Sequence, residues 1–274
     1  MVRMFRSLAP RRKLLALGAA LLLAAAAAVA GLAALRSRPA GPPPPAEVPV
    51  LLVPGYGGAP SSLATLAARL RAAGRRVEVV ALPDQGTGDL DASARALGRA
   101  VDASRAARVD LVGYSAGGVV VRELLADPSR AARARHVVLL GTPNHGAEVA
   151  GLAAALDPRL CTGACAQLVP GSAFLARLNR GDETPPGPDW TSVWTADDQT
   201  VTPPASALLA GARNVRLQDV CAGAGVGHGG LVRDPLAVGL VERALDGALP
   251  PRPGPPDCAV LRAAGAGGAA GAGG

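Results

Sequence analysis

One serine stands where a buried strand is predicted to turn into a helix. The apolar run Val109–Tyr114 ends at Ser115, two glycines follow within three residues, and a second apolar run begins at Val119. A side chain at the apex of such a sharp turn needs strained backbone torsions, and neighbouring glycines leave room for them because they have no Cβ. A serine hydroxyl held in this way can act as a nucleophile if a base takes its proton and an acid orients that base.

Three histidines are candidates for that base. His228 lies in the glycine-rich segment Gly225–Gly230, after the last predicted strand and before the last predicted helix. A loop in that position reaches the carboxyl ends of the strands, where open α/β sheets form their sites. His145 follows a strand at the same edge and either contacts substrate or closes a turn, whereas His136 begins a strand at the opposite edge and is expected to be structural. We therefore predict that His228 is the base.

Six short runs rich in valine and leucine indicate strands, and segments with helical spacing lie between them. The predicted strands are Val48–Val53, Arg76–Leu82, Arg108–Tyr114, Arg135–Gly141, Trp190–Thr195 and Asn214–Val220. The predicted helices are Ser61–Ala73, Leu90–Ala106, Val119–Ala126 and Leu231–Leu245. Several runs are continuously apolar, which is typical of parallel strands covered on both faces. The pattern predicts the α/β class, with a doubly wound, mostly parallel sheet of about six strands.

Three motifs carry a resemblance to a known family. The sequence Gly-Tyr-Ser-Ala-Gly at 113–117 matches the Gly-x-Ser-x-Gly nucleophile elbow of α/β-hydrolases. Pro-Gly-Tyr-Gly-Gly at 54–58 resembles the His-Gly-x-Gly-Gly loop of small bacterial lipases, with a proline in place of the histidine, and Gly-Thr-Pro-Asn-His-Gly at 141–146 resembles their Gly-Thr-Pro-x-x-Gly. Over about residues 48–245 the chain resembles the actinomycete-type secreted triacylglycerol lipases and esterases of the α/β-hydrolase superfamily.

This resemblance implies hydrolysis of carboxylic esters, or of a lipid, through an acyl-serine, with no metal and no cofactor. The acid of such a site lies between serine and histidine in chain order, at Asp197 or Asp198 here. Asp198 stands three residues before a valine, a spacing that resembles the Asp-x-x-Val of related lipases, so we predict the triad Ser115, Asp198 and His228.

The oxyanion of the tetrahedral intermediate needs two N–H donors. The resemblance implies that the backbone amides of Tyr56 and Ala116 supply them. Tyr114 and His145, which lie within the matched motifs, are the predicted substrate-binding side chains. The proline at 54 departs from the family pattern, but the expected donor comes two residues later.

Residues 147–189 form a long insertion between the fourth and fifth predicted strands, at the catalytic edge. Val149–Leu156 is apolar, and Ser172–Leu178 has helical spacing. Two interpretations are open: a lid over an acyl-binding pocket, or a packing flap.

The N-terminal residues indicate an export signal or a membrane anchor. Residues 1–13 are basic, and Leu14–Leu35 is an unbroken run of 22 Leu, Ala, Gly and Val, long enough to span hydrocarbon as a helix. Ala-Val-Ala at 28–30 is an acceptable cleavage site, so both possibilities stay open. The excess of positive charge before the run places the N-terminus in the cytoplasm and the rest of the chain outside, secreted or anchored.

The expected organisation is therefore a signal peptide or anchor at 1–38, a proline-rich linker at 39–46, a hydrolase domain at 47–246 and a Pro/Gly/Ala-rich tail at 247–274. From about Pro250 the composition offers no packed core, so we predict disorder there. The hydrolase is expected to be a monomer.

The four cysteines suit an extracytoplasmic compartment, where an even number indicates disulfides. Three pairings are possible. Cys161 and Cys165 are close in sequence, so we favour Cys161–Cys165 and Cys221–Cys258. Zinc is not expected because no Cys and His pairs have finger-like spacing.

The formal charge of +7 comes from the N-terminus, since seven basic residues and no acidic ones precede residue 39. The remainder carries 21 basic and 21 acidic residues, and only 2% of the chain is aromatic. Nucleic-acid binding needs clustered positive charge, usually with stacking partners, so we exclude it. Two alternatives to an esterase are acyl transfer to a cell-envelope acceptor and a non-catalytic, membrane-tethered binding protein.

Overall fold

The computed structural model describes residues 48–157 and 159–267. The predicted apolar segment Leu14–Leu35 and the linker at 39–46 lie outside these residues. Within the described ranges no helix combines the length and the apolar character that a bilayer crossing requires.

A single sheet of six parallel strands forms the centre of the described chain, in the order β2-β1-β3-β4-β5-β6. The strands are β1 Val50–Val53, β2 Val77–Val79, β3 Val109–Tyr114, β4 Ala134–Leu140, β5 Asp189–Trp194 and β6 Arg213–Arg216. The predicted fold class, a doubly wound α/β sheet of six strands, is confirmed. All neighbouring strands are parallel, which brings their carboxyl ends to one edge.

The described residues contain ten α-helical segments, seven between strands and three after β6. They are α1 Ala64–Ala72, α2 Leu90–Ala103, α3 Ala116–Leu125, α4 Pro128–Ala131, α5 Glu148–Leu156, α6 Ala164–Gln167, α7 Ala173–Leu178, α8 Leu217–Val220, α9 Pro235–Leu245 and α10 Cys258–Gly265. Short 3-10 turns occur at Pro60–Leu63, Pro83–Gly86, Pro204–Ala207, His228–Gly230 and Pro255–Asp257.

The two faces of the sheet are covered by separate apolar clusters. In β1, Leu51 and Val53 pack with α2 and α3, whereas Val50 and Leu52 pack with α1 and α9. Side chains alternate between faces along a strand, so a strand covered on both faces is apolar at most positions. This burial explains the continuous valine and leucine runs of the sequence.

The prediction of a sixth strand over Asn214–Val220 is wrong at its end. The strand ends at Arg216, and Leu217–Val220 form a helical turn. In a strand Leu217 and Val220 would point to opposite faces, whereas a helical turn directs both into the same buried cluster. The second strand is also shorter than predicted, since it spans only Val77–Val79.

The prediction of disorder from Pro250 onward is wrong for the residues up to Gly265. Cys258–Gly265 form α10, which packs closely against α9. A Cβ at Gly239 would overlap the carbonyl of Leu261, and one at Gly265 would overlap the carbonyl of Pro235. Glycine and alanine therefore allow two helix backbones to approach each other here, a role that composition alone did not reveal.

Both favoured disulfides are formed in the structure. Cys161 and Cys165 join with a Cα–Cα distance of 5.0 Å, and Cys221 and Cys258 with one of 5.3 Å. The second bond connects the chain after α8 to the first residue of α10. The C-terminal helix is therefore tied covalently to the sheet domain.

Candidate active site

Ser115 occupies the predicted turn between β3 and α3. Its backbone has φ 53° and ψ −129°, a conformation that strains any residue with a side chain. Its N–H donates to the carbonyl oxygen of Leu140 at 2.8 Å, which fixes the turn to the end of β4. A Cβ at Gly117 would overlap the carbonyls of Val53 and Pro54, so only glycine lets α3 start this close to β1. The turn has the geometry of a nucleophile elbow.

The two expected oxyanion donors lie beside this serine. A Cβ at Gly55 would come within 2.9 Å of the Ser115 Cβ, so the loop after β1 lies directly against the nucleophile. Tyr56 and Ala116 line the same cavity as Ser115. Neither backbone amide donates a hydrogen bond to the described part of the chain. Ala116 is the first residue of α3, where amides have no partner within the helix.

His228 is paired with Asp198. Its Nδ1 lies 2.7 Å from Asp198 Oδ2, and the carboxylate is only 5% exposed. The other oxygen, Oδ1, accepts the backbone N–H groups of Thr200 at 2.9 Å and Val201 at 2.8 Å. A carboxylate that accepts from Nδ1 leaves the proton on that nitrogen, so the lone pair of the imidazole is on Nε2.

Tyr114, the residue before Ser115, contacts His228. The two rings lie 5.1 Å apart, and the Tyr114 hydroxyl donates to the His228 carbonyl oxygen at 3.4 Å. Burial, with a smaller contribution from the Asp198 charge, raises the pKa of Tyr114 to about 12, so the phenol stays a neutral donor. Among the described residues the Ser115 hydroxyl has no hydrogen-bond partner, and catalytic bonds often tighten only when substrate is bound.

Asp197 is not bonded to the imidazole, whose carboxylate partner is Asp198. Asp197 is exposed, and its Oδ2 accepts from Gln218 Nε2 at 3.2 Å. Gln218 also donates to the Thr195 hydroxyl at 2.9 Å, and the Thr195 hydroxyl donates to the Val226 carbonyl at 2.6 Å. These bonds join the turn that carries the acid to the loop that carries His228.

Gln218 and Thr195 were not predicted from the sequence. The available signal was Gln218 itself, a polar residue between Leu217 and Val220 in the run assigned to the sixth strand.

The other two histidines do not lie at this centre. His145 Nε2 lies 2.9 Å from Glu183 Oε1, and its Nδ1 lies 3.3 Å from the Ser206 carbonyl. His145 is not part of the cavity wall at Ser115, and these contacts favour the turn-closing interpretation. His136 is buried in β4, and this burial lowers its pKa. Within residues 48–157 and 159–267, no three His, Cys, Asp or Glu side chains are grouped as a metal site would require.

An apolar cavity of about 320 Å³ opens at Ser115. Its walls come from the loop after β1, the start of α3, the segment between β4 and β5, and the turn after β5. They comprise Tyr56, Ser115, Ala116, Pro143, Ala147, Val149, Ala150, Ala153, Leu160, Cys165, Leu168, Thr200 and Val201. The insertion therefore forms one side of the cavity, and the disulfide between Cys161 and Cys165 braces it. A small apolar chamber beside a nucleophile suits an apolar acyl chain.

Comparison with solved structures supports the same fold. The chain is similar to lipase B of Aspergillus fumigatus, with a TM-score of 0.65 and 24% identity over 80% of this chain and 56% of that one. It is also similar to the mature form of the Bacillus licheniformis lipase BlEst2, with a TM-score of 0.59 and 18% identity over 76% of this chain and 96% of that one. The chain spans about half the length of the Aspergillus protein. No family model and no curated protein sequence matches it.

Proposed function

We propose that the protein is a serine hydrolase that cleaves carboxylic esters through an acyl-serine intermediate. The observation that carries this proposal is the hydrogen bond between His228 and Asp198 beside the strained turn of Ser115. The paired carboxylate keeps the imidazole lone pair on Nε2, where it can accept the serine proton. The α/β-hydrolase-like sheet and the lipase and esterase structures of similar fold support the same class of reaction.

In the acylation step the Ser115 Oγ attacks the carbonyl carbon of the ester while its proton moves to His228 Nε2. The carbonyl oxygen becomes an oxyanion, which the Tyr56 and Ala116 amides stabilise. His228 then gives the proton to the leaving alcohol oxygen, the carbon–oxygen bond of the ester breaks, and the acyl group stays on Ser115. Asp198 stabilises the imidazolium that forms in between.

In the deacylation step water attacks the acyl carbon and gives its proton to His228. The bond between Ser115 Oγ and the acyl carbon breaks, and the serine takes the proton back. The acid leaves and the enzyme is restored. Apart from the ester and water, these steps use only groups of the chain.

The apolar walls of the cavity favour an apolar acyl chain. Ala150 and Ala153 of α5 line it, and these small side chains leave the volume free for the ligand. The two disulfides support a location outside the cytoplasm, where such bonds persist. We further propose that the basic and apolar N-terminal segment exports or anchors the domain.

Active-site labelling tests the proposal. A fluorophosphonate probe is expected to label the purified protein once, and p-nitrophenyl esters of increasing acyl length are expected to be hydrolysed with water as the only acceptor. Ser115→Ala is expected to abolish both signals. Ser61→Ala, which changes an exposed serine outside the site, serves as the matched control and should retain both. Undiminished labelling of the Ser115→Ala protein would rule out the mechanism.

A further inference from the structure

His228 lines a second cavity. This cavity has a volume of about 540 Å³ and is open to solvent. Its walls are polar side chains and glycine backbone: Asp197, Gln199, Thr200, Gly225, Gly227, His228, Gly229 and Gly230. Thr200 lines this cavity and the apolar one, so the two chambers adjoin near the reacting groups.

The chemistry of the imidazole assigns the two chambers to different halves of an ester. His228 must hand its proton to the leaving alcohol oxygen, so the alcohol part of the substrate lies on the side of His228. The acyl part, bound to Ser115, then extends into the chamber that Ser115 lines. The cavity that His228 lines is therefore the one for the alcohol part.

Two of the glycines in this cavity have no packing reason to be glycine. A Cβ at Gly225 or Gly229 would meet no atom within 4 Å, and neither residue has a left-handed φ. Since both line the cavity, a side chain there would project into open space that the cavity provides. The missing side chains keep that space available to a ligand.

We propose that this cavity binds the alcohol part of the ester and selects alcohols that carry free hydroxyl groups and no negative charge. The inference rests on the proposed ester hydrolysis and deepens it. Asp197 and Gln199 offer acceptors and donors to a polyol, together with Thr200. One oxygen of Asp197 accepts from Gln218, and the other has no hydrogen bond from a described residue. The Asp197 carboxylate repels a phosphate on the alcohol.

Three butyrate esters of one carbon skeleton test the selectivity: propyl, 2,3-dihydroxypropyl, and 2-hydroxy-3-phosphopropyl butyrate. The expected kcat/KM for the dihydroxypropyl ester is about tenfold above that for the propyl ester, because its two hydroxyl groups form two extra hydrogen bonds with the cavity. The phosphorylated ester is expected to fall below the dihydroxypropyl ester by at least a similar factor. A ratio near one between the first two esters would overturn the inference and leave ester hydrolysis intact.

Two variants test whether the selectivity for the dihydroxypropyl ester arises in this cavity. Gly225→Leu fills the cavity and is expected to bring the dihydroxypropyl-to-propyl ratio close to one. Gly223→Leu is the matched control, because a Cβ at Gly223 also meets no atom within 4 Å but Gly223 does not line the cavity, and its ratio should stay as in the unchanged protein. Equal ratios in both variants would overturn the assignment of the cavity.

A further experiment distinguishes whether the cavity binds the leaving alcohol or an alcohol that accepts the acyl group. Glycerol is added to propyl butyrate, and the release of butyrate is compared with the formation of 2,3-dihydroxypropyl butyrate. In transfer, a glycerol hydroxyl attacks the acyl-serine and passes its proton through His228 to Ser115, the reverse of acylation. Rapid formation of the new ester assigns the cavity to an acceptor alcohol, whereas butyrate alone assigns it to the leaving group. No turnover of any ester would overturn the proposed function, and this inference with it.

Discussion

The hydroxyl of Thr195 donates to the carbonyl oxygen of Val226 at 2.6 Å, and this bond joins the two chain segments that carry the acid and the histidine. Thr195 follows β5 and stands three residues before Asp198. Val226 stands two residues before His228. The loop around His228 is rich in glycine, so its position depends on such bonds more than on the intrinsic stiffness of its backbone.

We predict that Thr195→Val lowers kcat by up to about 100-fold, because a small displacement of the imidazole weakens proton transfer. Valine keeps the shape of the side chain but removes the donor. Thr195→Ser restores the donor and is expected to stay within about threefold of the original rate, on the same reasoning. Steady-state kinetics on p-nitrophenyl butyrate checks this, with KM little changed in both variants because the apolar cavity is intact. Equal losses in the valine and serine variants would show that packing, not the hydrogen bond, is what matters.

The parts of the fold that the sequence predicted well are those with one dominant physical signal. Val109–Tyr114 is apolar apart from the ion-paired Asp110 because both faces of its strand are covered, and glycines flank Ser115 because backbone segments meet there. Each of these patterns indicates one local structure. Asp198 and His228 were placed by chain order and by the ends of strands, which the parallel sheet brings to one edge.

Features that depend on distant partners were missed. Leu217 and Val220 continue the run predicted as the sixth strand, but both are buried in one cluster, which a helical turn allows. The glycine and alanine content of α10 looked like disorder, yet Gly265 allows a close approach to Pro235 of α9. Gln218 bonds to the turn after β5 and to the loop before His228, which are distant in sequence. Its role therefore cannot be predicted from the residues around it.

The two neighbouring aspartates are predicted to differ sharply. Asp198→Asn removes the charge that orients and stabilises the imidazole, so kcat is expected to fall by up to ~10⁴. Asp197→Asn leaves the bond between His228 and Asp198 in place and is expected to cost less than tenfold on p-nitrophenyl esters, a much smaller loss because Asp197 is exposed. The reverse ranking would transfer the role of the acid to Asp197.

Removal of either disulfide is predicted to destabilise the fold, and more strongly for the bond that closes the longer loop. The bond between Cys221 and Cys258 spans 37 positions, and that between Cys161 and Cys165 spans four. In the chain-entropy description their loss lowers the free energy of unfolding by about 4 and about 2 kcal/mol, respectively. Urea unfolding of the two double Cys→Ser variants checks the order. A larger loss for the short loop would mean that local packing of the insertion outweighs chain entropy.

The outer face of α5 is predicted to contact apolar ester assemblies. Ala150 and Ala153 line the cavity, whereas Leu152 and Leu156 of the same helix do not and are 61% and 76% exposed. Leu156→Asp is expected to lower the rate on emulsified long-chain esters several-fold, because burying a charge at an apolar surface is costly, and to leave a soluble short ester unaffected. Val260→Asp is the control, since Val260 is 53% exposed on α10 and does not line the cavity. Equal losses on both substrates would favour a purely structural flap.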